Sequence, residues 1–169
     1  MPELTLRHEF NTDEDTYWSK IVLDQAFNKK MFEGELGFSG WNLVEFKEDD
    51  AKISRKIHVE PPSGNLPGPI KKLVGDRVTY TEDGVFDKKA KRYSFKITPS
   101  TLADKMKLNG EFWVERIADK KICRVCRVTV EVKVFAVGGA IEERILADMR
   151  TSYDRGSSFT NQHIAEHGL

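Results

Sequence analysis

Three pairs of residues in this chain have the types and spacings that chemistry uses. Cys123 and Cys126 form C-R-V-C, His163 and His167 stand four apart near the C-terminus, and Gly138 and Gly139 adjoin in "VTVEVKVFAVGGAIEERILADM". The corresponding chemistries are thiol redox or zinc binding, a helical metal pair, and a loop that cradles phosphate.

None of the three patterns is complete. On a strand, side chains three apart point to opposite faces, so the two thiols are read as packing or idle groups, and the second pair that zinc requires is missing. No acidic residue or third histidine is evidently brought beside His163 and His167, which read as a solvated terminus. A phosphate loop needs lysine and then serine or threonine after its last glycine, and a dinucleotide loop needs three spaced glycines in a parallel βαβ unit. Gly138 and Gly139 are instead expected to permit unusual backbone angles where the last strand turns into a helix.

Neither a Gly-x-Ser-x-Gly turn nor a His-Glu-x-x-His helix occurs, and Ser100-Thr101 and Ser157-Ser158 read as capping or helix residues. His8 shares the apolar face of its strand, where a hydrogen-bonded core histidine is commoner than a titrating one. The expectation is no catalytic residue, no metal and no cofactor. Catalysis is left open but is the less favoured reading.

What remains is apolar surface. Trp41, Tyr80, Phe86, Tyr93 and Phe95 are candidates to line a ligand pocket, together with Phe112, Val130, Ile145, Met149 and Tyr153. Such pockets are mostly apolar with a few polar groups that orient the guest. The alternative is a packed core, which the same aromatic and methionine stripes would form.

The elements that must position these residues follow from periodicity. Leu4, Leu6, His8 and Phe10 alternate on a first strand, and Asn11 to Asp15 can cap a helix from about Asp13 to Ala26. Tyr17, Trp18, Ile21, Val22 and Phe27 give that helix its apolar face, and a second piece from about Asn28 to Leu36 is ended by Gly37. Six strand-like runs follow, roughly Trp41 to Glu48, Lys52 to Glu60, Arg77 to Phe86, Arg92 to Thr98, Lys105 to Ile117 and Lys121 to Phe135. Short links make neighbours antiparallel. The longer link, rich in proline and glycine from Pro61 to Pro69, is expected to hold a helical turn over one end of the sheet.

Alternation gives the sheet one apolar face, with Tyr93, Phe95 and Ile97 on one run, Met106, Leu108, Gly110, Phe112 and Val114 on another, and Val128, Val130, Val132 and Val134 on a third. Arg92, Lys96, Lys107, Glu111, Glu115, Arg127, Glu131 and Lys133 face the other way. Such a sheet needs a single cover. The proline-free segment from about Gly139 to Glu166 provides it, with a stripe running through Ile141, Ile145, Met149, Ser152, Tyr153 and Gly156 to Phe159, Thr160, His163 and Ile164. At about 1.5 Å per residue it spans roughly 40 Å, enough to cross the sheet.

Composition narrows the partners. Lysine plus arginine number 27 and aspartate plus glutamate 27, so a net charge of zero disfavours nucleic acid. No apolar run approaches the roughly 18 residues of a membrane span. The start, MPELTLRHEF, has neither the pattern of a secretory signal nor the glycine that myristoylation needs, so a cytoplasmic location is expected. The length suits a single domain, 1–169. Oligomeric state is left open.

The order strand, two short helices, six strands, long helix resembles the START-like (SRPBCC, helix-grip) superfamily. It contains lipid-transfer domains, pollen-allergen-like proteins, coenzyme Q-binding proteins and polyketide aromatase/cyclases. "HVEPPSGNLPGPIKKLVGDRVTYTEDGVFD", "YSFKITPSTLADKMKLNGEFWVE" and "VKVFAVGGAIEERI" are similar to an uncharacterised bacterial family within it. The resemblance implies an α+β helix-grip fold, in which a curved seven-stranded antiparallel sheet wraps around the C-terminal helix with a cavity between them. It carries over no catalytic residue, because the superfamily hosts binding, transport and catalysis alike. The expected function is binding or carriage of a hydrophobic small molecule such as a lipid, isoprenoid quinone or polyketide-like compound, with transient membrane contact left open. An aromatase/cyclase-like or hydrolase-like enzyme and a protein-interaction module with a closed core are the alternatives.

Overall fold

A computed structural model describes residues 2–62 and 66–169. The chain forms β1 (Glu3–Phe10), α1 (Glu14–Thr16) continuing as a π-helical segment Tyr17–Val22, and α2 (Gln25–Lys29) continuing as a π-helical segment Lys30–Glu35. Then come β2 (Gly40–Glu48), β3 (Lys52–Glu60), α3 (Gly68–Val74), β4 (Tyr80–Asp87), β5 (Arg92–Pro99), β6 (Met106–Ala118), β7 (Lys121–Val132) and α4 (Gly138–His167). Within the proline- and glycine-rich link, residues 63–65 lie outside the described residues.

The strands make one seven-stranded sheet in the order β1-β7-β6-β5-β4-β3-β2, antiparallel throughout. This is the α+β helix-grip arrangement. Strands β2 to β7 pair in sequence order, and β1 joins the far side of β7 with Leu6 opposite Cys126. The inner face follows the period of two. Ile53, Arg55, Ile57 and Val59 are buried on β3, and Cys126, Val128 and Val130 are fully enclosed on β7. Cys123 and Cys126 are both free and buried.

Two glycines shape the inner face by what they lack. A Cβ on Gly84 would sit 1.8 Å from the Tyr93 hydroxyl oxygen, and one on Gly110 would sit 2.2 Å from the tip of the Phe95 ring. Tyr93 and Phe95 therefore lie across neighbouring strands instead of standing up from them.

The helical region departs from the expected single helix from Asp13 to Ala26. It breaks after Val22, because the Asp24 carboxylate accepts from Phe27 N at 2.7 Å and starts a new helix at Gln25. The two N–H groups of the buried Asn28 amide secure this corner, shared among the carbonyls of Ile21 at 2.8 Å, Val22 at 3.1 Å and Asp24 at 2.7 Å. Each piece ends in π geometry, as in Leu23 N to Trp18 O at 3.0 Å, and Gly37, at φ +71°, follows the second.

The glycine pair also differs from expectation. Neither Gly138 nor Gly139 has a positive φ; the left-handed residue of the β7–α4 turn is Ala136, at φ 67°. Gly138 matters for close approach, since a Cβ there would lie 2.4 Å from the Val132 carbonyl oxygen. Glu142 accepts from Val132 N at 2.8 Å, and the strand stops at Val132, short of Phe135. Strand β4 likewise begins at Tyr80 and not at Arg77. On α4 the buried positions are Gly138, Ile141, Gly156, Ser157, Thr160 and Ile164, so Ser157 joins the expected stripe.

Candidate ligand cavity

Between the inner face of the sheet and α4 lies a cavity of about 420 Å³, lined on its other sides by residues of the α1–α2 region and of the segment around α3. Its strand-borne walls include Trp41, Tyr80, Tyr93, Phe95 and Phe112, and α4 contributes Ile145, Met149 and Tyr153. Phe86 and Val130, also candidates from the sequence, are buried outside its walls. The Trp18 ring covers Phe86, with ring centroids 4.6 Å apart, and stacks 5.6 Å from Phe112. One part of the groove is thus filled by the first helical corner and another is hollow.

Asp76, Arg77, Arg144 and Asp148 mark the more exposed part of the lining. Their charges are matched locally: Arg144 Nε donates to both Asp148 oxygens at 3.1 and 2.9 Å, Arg77 meets Glu60 at 3.3 Å, and Asp76 meets Lys71 at 3.2 Å.

Farther in, three charged residues enter an otherwise apolar wall. Arg55, only 8% exposed, donates from Nε to the Tyr93 hydroxyl at 2.9 Å and from Nη1 to the Val22 carbonyl at 2.9 Å. Its guanidinium lies 5.0 Å from the Tyr93 ring centroid. Tyr93 in turn donates to Glu82 Oε2 at 2.7 Å, which makes a chain from Arg55 through Tyr93 to Glu82. Burial, and then the Glu82 charge, push the Tyr93 hydroxyl pKa well above the usual tyrosine value against the opposing pull of Arg55. Tyr93 is held neutral, as a donor.

Arg124 forms a parallel arrangement. Nη1 donates to the Tyr17 hydroxyl at 3.2 Å, while Nη2 reaches Ser157 Oγ at 3.2 Å and His8 Nδ1 at 3.1 Å. Arginine can only donate, so His8 Nδ1 accepts and the ring proton sits on Nε2, which donates to Asp154 Oδ1 at 2.7 Å. Burial, followed by the Arg124 charge, lowers the His8 pKa against the pull of Asp154. Arg124 also lies 4.8 Å from the Tyr153 ring centroid. Each inner guanidinium is therefore joined to a carboxylate through one neutral group.

Sequence reasoning passed over Arg55, Glu82 and Arg124. The signal was present: Arg55 shares its parity with Ile53, Ile57 and Val59, Glu82 with Tyr80 and Phe86, and Arg124 with Cys126 and Val128. His163 and His167 stack at 4.0 Å beside Phe27, away from these groups. Among the described residues, no group of three His, Cys, Asp or Glu side chains is arranged to hold a metal ion.

Comparisons with known proteins agree with this fold. The model of a family described as "Protein of unknown function (DUF2505)" matches residues 5–164. No curated protein matches the chain. Among solved structures, the Zhui aromatase/cyclase from Streptomyces sp. R1128 superposes with a TM-score of 0.70 at 8% identity, over 99% of this chain and 96% of that one. A START superfamily protein from Mycobacterium smegmatis gives 0.56 at 11% identity, over 95% and 97% of the two chains. Norcoclaurine synthase from Thalictrum flavum gives 0.61 at 15% identity, over 96% and 95%. At these identities the likeness concerns the fold.

Proposed function

The chain belongs to that family of proteins of unknown function, DUF2505, and we propose that it binds or carries a hydrophobic small molecule between its sheet and α4 without catalysing a reaction. The observation that carries this reading is the cavity itself: about 420 Å³, within the roughly 300–1,000 Å³ of small-molecule pockets, walled mainly by apolar and aromatic side chains. Burial of apolar ligand surface, at roughly 25 cal/mol per Å², supplies the affinity. A lipid, an isoprenoid quinone or a polyketide-like compound fits such walls. The protein is taken as cytoplasmic, and a lipid cargo would bring it into transient contact with membranes. No helix among the described residues is long and apolar enough to cross one.

The test is native mass spectrometry of gently purified protein, followed by organic extraction. A reproducible hydrophobic adduct lost on denaturation is expected. A clean apo mass, together with no binding to a panel of lipids and quinones, would overturn the reading.

A second reading, an enzyme of the aromatase/cyclase or hydrolase kind, is favoured by one observation. Tyr93 links Arg55 and Glu82 on the cavity wall, and a substrate that displaced Glu82 from the Tyr93 hydroxyl would receive that proton in its place. It is distinguished by turnover of the extracted compound, abolished in Tyr93→Phe.

A further inference from the structure

Building on the reading of the cavity as a binding site, we propose that its guest is an amphipathic acid, an apolar body ending in a carboxylate that Arg55 receives. Arg55 has donors and no acceptor. Nε is engaged by Tyr93 and Nη1 by Val22, while no protein acceptor among the described residues meets Nη2. A guanidinium on the cavity wall with a nitrogen free to meet the guest favours a guest that brings an acceptor, since one that covers it without an acceptor leaves that donor unmet.

The surrounding groups favour an anion over a neutral acceptor. The Tyr93 hydroxyl is committed on both sides, accepting from Arg55 and donating to Glu82, so Arg55 meets its counter-charge only through a neutral oxygen. Arg124 is likewise separated from Asp154 by His8. With the exposed charges of the lining paired among themselves or with neighbours, the inner wall itself carries Arg55, Arg124 and Glu82, while the second carboxylate, Asp154, stands behind His8 and off that wall. On the wall the balance is positive. A carboxylate completes it, whereas a cationic end would add an unpaired charge. The remaining wall, Phe95, Ile97, Leu108, Ile145 and Met149, takes the apolar body.

The experiment uses the full chain and a neutral fluorescent probe, N-phenyl-1-naphthylamine, displaced at pH 7 by dodecanoic acid, dodecan-1-ol and dodecylamine below their micelle concentrations. The acid is expected to displace the probe about tenfold more effectively than the alcohol, the gain of a charge-assisted hydrogen bond, with the amine weakest. Arg55→Met should abolish the preference for the acid. Glu82→Gln, which removes the competing negative charge, should widen it, and this variant decides the matter if Arg55→Met fails to fold. A probe that binds but yields equally to acid and alcohol would overturn the acid preference and leave the cavity reading standing. A probe and ligand series that do not bind at all would overturn both.

Discussion

Gly84 lies directly beneath the Tyr93 hydroxyl, so closely that a Cβ on Gly84 would be 1.8 Å from the oxygen. The ring cannot shift without breaking its bonds to Arg55 and Glu82. Gly84→Ala should therefore cost about 1–3 kcal/mol, as overpacking of a filled site does, and should also weaken probe binding by displacing a wall residue. Urea denaturation and probe titration of the variant check both effects. Wild-type stability with wild-type binding would show that the approach is not constraining.

The corner at Leu23 and Asp24 reaches the same site by another route. Asn28 holds the Ile21, Val22 and Asp24 carbonyls together, and the Val22 carbonyl also accepts from Arg55. Asn28→Leu leaves those buried acceptors without the amide and should destabilise the fold by about 2–3 kcal/mol. It should also loosen Arg55, so any preference for acidic ligands should fall with it. Equilibrium unfolding and the probe competition measure the two effects separately.

Much of this architecture was legible because a half-buried sheet writes its faces into the sequence with a period of two. The rows through Tyr93, Phe112 and Val130 predict the inner face, and the long stripe after the glycines predicts its cover. Parity identifies a face, but not which part of that face another element will occupy. Phe86 and Val130 therefore share parity with wall residues yet lie outside the cavity, and beside Phe86 the space is taken by Trp18, arriving from a distant segment. Arg55, Glu82 and Arg124 were overlooked because charge was assigned outward, although each interrupts an inward row. The break before Gln25 was hidden because Tyr17, Trp18, Ile21, Val22 and Phe27 fit one continuous helical face. The pairing of β1 with β7 joins the first strand to the last across more than a hundred residues and has no local signal.

His8 makes stability depend on mildly acidic pH. Its folded-state pKa lies below the ordinary value of 6.5, first through burial and then through Arg124, with Arg150 acting the same way and Asp154 opposing. Below about pH 6.5 the unfolded chain binds a proton that the folded chain resists, so this contribution is intact above that pH and is lost as pH falls toward the depressed value. His163 is shifted in the same direction, by burial and His167, and adds a slope of the same sign. Denaturation at pH 7.5 and 5.5 should show wild type losing stability on acidification and His8→Asn losing less. An equal loss in both would remove His8 from the account.

Met149 offers the most direct test of where a guest sits. It is partly buried on α4, contributes to the cavity wall and packs against the rim of the core. Tryptophan there can extend into existing space without displacing a well-packed neighbour, so Met149→Trp should keep a thermal midpoint close to wild type while weakening binding of a cavity-filling ligand about tenfold or more. An enlarged side chain that lowered stability by several kcal/mol would mean that the space beside Met149 is already filled. Unchanged affinity for an extracted ligand, with the fold intact, would place that ligand elsewhere in the molecule.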